Sequence, residues 1–155
     1  MRIIKLGLIS IVFLSLLITG ISLFFPSRVR ISKAIEINGT REMIMRQTGD
    51  RQNWKNWYPG VDSIKSITIT EKNDSSVRAT IVGPGSKNIE TGWNIFSTAS
   101  GQPVTVQWYM DFHLRWYPWE KFSSLLLEKS YGPRMENGLS DLKRIVETTP
   151  ALPKP

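Results

Sequence analysis

Val104-Thr105-Val106-Gln107-Trp108-Tyr109-Met110-Asp111-Phe112-His113-Leu114 is the stretch that decides the architecture. Val104, Val106, Trp108, Met110, Phe112 and Leu114 alternate with Thr105, Gln107, Tyr109, Asp111 and His113 through eleven residues. Successive side chains of a strand point to opposite faces, so a period of two specifies a strand with one oily and one wet face. Such a sheet needs a cover. The cover is legible downstream, where Met135, Leu139, Leu142, Ile145 and Val146 fall on one stripe of a helix.

Weaker strand signals lie upstream. From Val29 to Ile37, Val29, Ile31, Ile35 and Ile37 share a face that Lys33 interrupts, while Arg30, Ser32 and Glu36 point the other way. Ile64 to Glu71 is rich in Ile and Thr, and Asn73-Asp74-Ser75-Ser76 reads as a turn into Val77–Val82. Gly83-Pro84-Gly85-Ser86 breaks the chain before Ile89 to Ala99, and Ser100-Gly101-Gln102-Pro103 turns it into the deciding strand. Between the first and second strands, Thr40 caps a short helix reaching Gln47. Asp50 caps another that carries Trp54 and Trp57 on one face, and Pro59-Gly60 stops it. At the other end, Glu120 to Tyr131 is helical, and Gly132-Pro133 predicts a break or kink before the final helix. The order is α+β.

Twenty uncharged residues, Leu6 to Phe25, precede this domain. As a helix they would span ~30 Å, the hydrocarbon thickness of a bilayer. A signal peptide is the rival reading, but its apolar core is shorter, roughly 7–15 residues, and ends in small residues. Here the run ends in bulky Leu23, Phe24 and Phe25, which favours an uncleaved, single-pass anchor in the cell membrane. Arg2 and Lys5 lie before it and Arg28, Arg30 and Lys33 after it, so charge leaves open which side carries the domain. The expected divisions are an anchor over 1–27, one folded domain over 28–147 and a Pro-rich tail over 148–155.

Charge supports the same location. The net charge is +7, and Arg2, Lys5, Arg28, Arg30 and Lys33 supply five of those charges within the first 33 residues, leaving +2 for the rest. The basicity is juxtamembrane, suited to anionic headgroups, and is no argument for nucleic acid, which needs a basic patch on the domain itself. Cysteine is absent, which excludes disulfides, thiolate catalysis and Cys-type zinc sites.

Three motifs, in this order, give the domain a resemblance: Ile35-Glu36-Ile37-Asn38 closing the first strand, Asp50-x-x-x-Trp54-x-x-Trp57, and Tyr131 to Lys143 with its Gly138-Leu139-x-x-Leu142-Lys143 core. Together they resemble the START/Bet v1-like (SRPBCC, polyketide cyclase-like) superfamily, over Val29 to about Glu147. An amino-terminal membrane segment before such a domain is similar to bacterial members. The resemblance implies a helix-grip fold, a curved antiparallel sheet wrapped around the carboxy-terminal helix and an apolar cavity. It also implies binding of lipids, sterols, polyketides or other hydrophobic molecules; some members are enzymes. The chain departs from the pattern in one respect. Four strand signals stand between Trp57 and the final helix where the full fold has about six, so that either a pair is missing or Gly60–Ser63 conceals one. A shortened sheet favours a shallow groove, or a site completed by lipid or another chain.

On that frame Trp93, Ile95, Trp108, Met110, Phe112, Met135, Leu139 and Leu142 face the interior, as ligand lining if it is hollow and as plain core if it is full. Trp54 and Trp57 either gate the cavity mouth or fasten the short helices to the sheet. His113, the only histidine, shares a face with Asp111 and Arg115, opposite the oily row and therefore in solvent, where acid–base work on a sheltered substrate is out of reach. Glu90 and Glu120 are undecided. There is no G-x-S-x-G turn, and Gly83-Pro84-Gly85-Ser86-Lys87 lacks the Walker arrangement. Trp116, Tyr117, Pro118 and Trp119 form an aromatic patch that either rests on a membrane interface or packs on the helix end.

Three functions follow. The preferred one is a membrane-anchored, non-enzymatic module for a lipid-like or other hydrophobic small molecule. The second is a cyclase, dehydratase or hydrolase-like enzyme in the same cavity, and the third an interaction domain with no ligand. The expected partners are membrane lipid and the hydrophobic ligand. No cofactor, metal or nucleic acid is expected, and no motif specifies a protein partner.

Overall fold

Alternation along each strand builds a five-stranded antiparallel sheet whose apolar face is the floor of the domain. The computed structural model describes residues 2–83, 88–97 and 103–149. Strand β1 (Arg28–Ile37) is followed by helix α2 (Arg41–Thr48), since α1 (Arg2–Ser22) precedes it, and then by 3-10 turns over Arg51–Asn56 and Val61–Ser63. Strands β2 (Ser66–Lys72), β3 (Ser76–Val82), β4 (Asn88–Ser97) and β5 (Val104–His113) come next. The chain ends in α3 (Pro118–Ser123), a 3-10 turn over Ser124–Leu126 and α4 (Leu127–Thr148). Spatial order is β1-β5-β4-β3-β2. Among the described residues four strands follow Trp57, and Val61–Ser63 is a 3-10 turn and not a further strand. The Gly83–Ser86 and Ser100–Pro103 turns fall largely outside the described residues, as does most of the tail.

Register sets the inner rows. Ile31 pairs with Met110, Met110 with Thr91, Thr91 with Ala79 and Ala79 with Ile69, so one row crosses all five strands. Trp93 pairs with Trp108 in the neighbouring row, their rings 5.6 Å apart. Thr91 is the polar member, and it is fully satisfied: its Oγ1 accepts from Trp108 Nε1 at 2.7 Å and donates to the Tyr109 carbonyl at 3.1 Å.

Helix α4 lies along β1 and over β5. Met135, Leu139, Leu142 and Val146 are buried, and the oily row of β5 is buried with them, while His113 is exposed. The two stripes therefore meet. Small residues permit the approach: a Cβ on Gly138 would sit 2.8 Å from Trp108 Cζ3 and 2.7 Å from Pro59 Cδ, and one on Gly39 would sit on Val146. Lys33, the interruption in β1, faces α4 and reaches Glu128 and Glu136 at 2.8 Å each. Those two carboxylates raise the Lys33 ammonium above its ordinary value.

One element differs from expectation. Gly132-Pro133 does not break the helix; α4 runs through Pro133, and the interruption lies upstream at Ser124–Leu126. A proline inside a helix costs about 3 kcal/mol through its missing N–H and ring clash. The buried stripe from Met135 onward, with half-buried Leu127 and Tyr131 and buried Gly132 before it, holds the helix against the domain across the proline.

The helix α1 is 21 residues long and free of buried contacts over its apolar window, long and apolar enough to cross a membrane.

Candidate functional site

One end of the sheet–helix interior is filled by packed aromatic side chains. Thr40 and Asp50 cap their turns through backbone N–H groups of Met43 and Gln52, which fixes the segment that carries Trp54, Trp57 and Tyr58. Trp54 Nε1 donates to the Thr48 carbonyl at 2.8 Å and Trp57 Nε1 to the Gln47 carbonyl at 3.3 Å. Their rings pack with Trp93 and Trp108 into one aromatic cluster, with Trp54–Trp93 centroids at 4.9 Å and Trp57–Trp108 at 5.9 Å. Edge-to-face pairs of this kind add about 0.5–1.5 kcal/mol each beyond burial. The indole N–H of Trp93 has no hydrogen-bond acceptor among the described residues.

The other end is open. A cleft of about 310 Å³ lies between the turn after Trp57, the inner face of the sheet and the first turns of α4. Tyr58, Pro59 and Ile64 form one wall, Ile81, Ile89, Trp108 and Met110 the floor, and Tyr131 and Met135 the opposite wall. Gly60, with φ of +76°, makes the turn that swings Tyr58 and Pro59 over the sheet. Tyr58 packs on Trp108 with centroids 5.0 Å apart, and Tyr131 meets Phe112 at 4.8 Å, so aromatic contacts close both flanks. Polar groups occur at Ser63, Ser130 and Arg134. Burial pushes the Tyr58 phenol up, which keeps it neutral and leaves its hydroxyl a donor. Most lining side chains are apolar or aromatic, but the floor is almost fully buried and the surface open to the cleft is about equally polar and apolar, which suits a ligand with both an apolar and a polar part. The volume is at the small end of the roughly 300–1,000 Å³ typical of ligand sites.

Of the interior residues named from the sequence, Trp108, Met110 and Met135 line the cleft. Trp93, Ile95, Phe112, Leu139 and Leu142 are buried in the packed core. Trp54 and Trp57 are buried in the aromatic cluster and do not line the mouth; the capped turns hold them under the sheet. Tyr58, Ser63 and Ser130 are lining residues that the sequence does not mark, and Tyr131 and Arg134 stand in the closing-helix motif without a lining role assigned to them. Only the adjacency of Tyr58 to the Pro59-Gly60 stop carried a signal.

The ionisable candidates lie elsewhere. Asp111 is on the outer face, where Arg30 Nε and Nη2 grip its two carboxylate oxygens at 2.7 and 2.6 Å. That bidentate bond holds the Asp111 carboxyl below its usual range. His113 and Glu90 are exposed, and Glu120 accepts from the Arg115 backbone N–H at 2.8 Å. A wider depression of about 580 Å³ covers this outer face, but Arg30, Arg78, Glu71, Glu90 and Asp111 make it a solvated row of charges. Among the described residues no group of three or more metal-ligating side chains gathers.

A curved antiparallel sheet gripping a long final helix, with a cleft between them, is the START/Bet v1-like fold, and comparison with solved structures shows the same. A START superfamily protein from Mycobacterium smegmatis matches at 17% identity and a TM-score of 0.50, over 76% of this chain and 97% of that one. Norcoclaurine synthase from Thalictrum flavum matches at 9% identity and a TM-score of 0.53, over 79% and 96%. The di-domain ARO/CYC StfQ of the steffimycin biosynthetic pathway matches at 8% identity and a TM-score of 0.56, over 77% of this chain and 51% of its own. No family model matches the sequence, and comparison with curated proteins finds no match.

Proposed function

We propose that the chain is a membrane-anchored, non-enzymatic START-like module that holds a lipid-like or other hydrophobic small molecule in the cleft between β5 and α4. The observation that supports this reading is a cleft of about 310 Å³ whose wall and floor side chains, Tyr58, Trp108, Met110, Tyr131 and Met135, are apolar or aromatic, with Ser63, Ser130 and Arg134 beside them. Burying apolar ligand surface there contributes ~25 cal/mol per Å², enough for a ligand of modest size. Because the aromatic cluster fills the rest of the interior, the cleft takes one chain or one small ring system. The ionisable side chains of the described lining are Tyr58, Tyr131 and Arg134, with no carboxylate or imidazole among them to act as a general base near pH 7. The anchor is α1, by its length and apolar composition.

Extraction of the full chain from native membranes, followed by mass spectrometry of co-purified small molecules, tests the reading. A stoichiometric hydrophobic species is expected, lost in Ser130→Trp, whose indole would occupy the rim. Recovery of the same species at the same ratio from both proteins would contradict it.

A further inference from the structure

The segment after β5 leaves apolar side chains in solvent that the fold does not use. Trp116, Trp119, Leu125 and Leu126 are each more than 60% exposed, although Tyr117 and Trp119 stack at 4.7 Å and Trp116 meets Tyr117 at 4.8 Å. Scattered exposed apolar residues are ordinary, but a contiguous group marks an interaction surface. Its position says what covers it. Lys121, only 4% exposed, donates to the Phe25 carbonyl at 2.8 Å and to Ser27 Oγ at 2.9 Å. The last carbonyls of α1, at Gly20, Ile21 and Ser22, accept from the N–H groups of Leu23, Phe24 and Phe25, and the Lys121 ammonium ties down the chain just beyond them. Phe122 meets Phe25 edge-to-face at 5.4 Å. The segment is fastened to the end of α1 by a buried cation and an aromatic pair. Leu23 and Phe24 are exposed on the other side of this junction, Phe24 at 91%.

We propose that Trp116, Trp119, Leu125 and Leu126 form a foot that sits in the headgroup–acyl boundary of the bilayer crossed by α1, an inference that rests on the anchoring reading above. Tryptophan and leucine at the end of a span, with basic side chains beside them, match the chemistry of that boundary. Exposed Arg28, Arg115 and Lys129 flank the patch and meet anionic headgroups. Leu126 and Ser130 lie one helical turn apart, so the foot runs directly into the rim of the cleft. Seated this way, the domain places its apolar site at the membrane surface, where a hydrophobic ligand passes between acyl chains and cleft without crossing water.

The native chain has no cysteine, so single spin labels can be placed without background. Full-length Val12→Cys, Trp116→Cys, Leu125→Cys and Arg78→Cys, all at exposed positions, are labelled and reconstituted in vesicles of phosphatidylcholine and phosphatidylglycerol. Collision with oxygen and with a water-soluble nickel complex then reports depth. The proposal expects residue 12 in hydrocarbon, residues 116 and 125 at the boundary and residue 78 in water. Residue 12 in hydrocarbon with 116 and 125 as wet as 78 overturns the foot and leaves the anchor standing. Residue 12 in water overturns both.

Discussion

Gly138 of α4 rides directly on the indole of Trp108 in β5: a Cβ at this glycine would come within 2.8 Å of Cζ3. The contact is where the helix stripe and the oily strand face meet, and it fixes how close the grip can be. Alanine is the better helix former by about 1 kcal/mol, so propensity alone says that Gly138→Ala stabilises. The contact with Trp108 and Pro59 says the reverse, since overpacking costs about 1–3 kcal/mol. Gly138→Ala is expected to lower stability in chemical denaturation, while Asn137→Ala at the exposed neighbouring position does not.

Trp93 and Trp108 are equally buried, yet only one of their indole N–H groups is bonded. Trp108→Phe removes a donor to Thr91 and a ring edge against α4, whereas Trp93→Phe removes an N–H that has no acceptor. Loss of a buried hydrogen bond costs about 1 kcal/mol. Trp108→Phe should therefore be the more destabilising by about that amount, read from denaturation midpoints of the two variants.

The Arg30–Asp111 pair makes an acid-dependent contribution across β1 and β5. The carboxyl is depressed in the fold by its bond from Arg30, so the contribution is present above the unfolded value of about 3.9 and is lost as pH falls through the lower folded value. Arg30 is largely exposed, so solvent screening limits the contribution to at most ~1 kcal/mol. Asp111→Asn should be slightly less stable at pH 7, and the gap should close below about pH 4 in parallel thermal melts.

Patterns that repeat were readable from residues alone; local exceptions were not. The period of two in β5 and the stripe on α4 placed Phe112 inward and His113 outward, as observed, because burial of one face leaves no other register. Tyr109 defied the alternation. It lies on the outer face yet is buried, because Gly92 opposite it lacks a side chain and Arg30 covers its ring at 4.4 Å. A cross-strand glycine far away in sequence gives no periodic signal. At Pro133 local propensity favours a break or kink, and of these the break does not occur, because the packing that holds α4 together is tertiary. The cleft was the least legible feature, since Tyr58, Ile81, Ser130 and Arg134 come from separate segments that only the folded chain brings together.

The most direct test uses the methionines, two of which line the cleft and two of which lie on α2. The full chain, labelled with carbon-13 at its methionine methyls and held in lipid nanodiscs, is titrated with lauric acid and followed by NMR. Met110 and Met135 should shift in a saturable manner while Met43 and Met45 stay in place. Movement of Met43 and Met45 with Met110 and Met135 unchanged, or no saturable shift at any of the four, would contradict a hydrophobic site between β5 and α4.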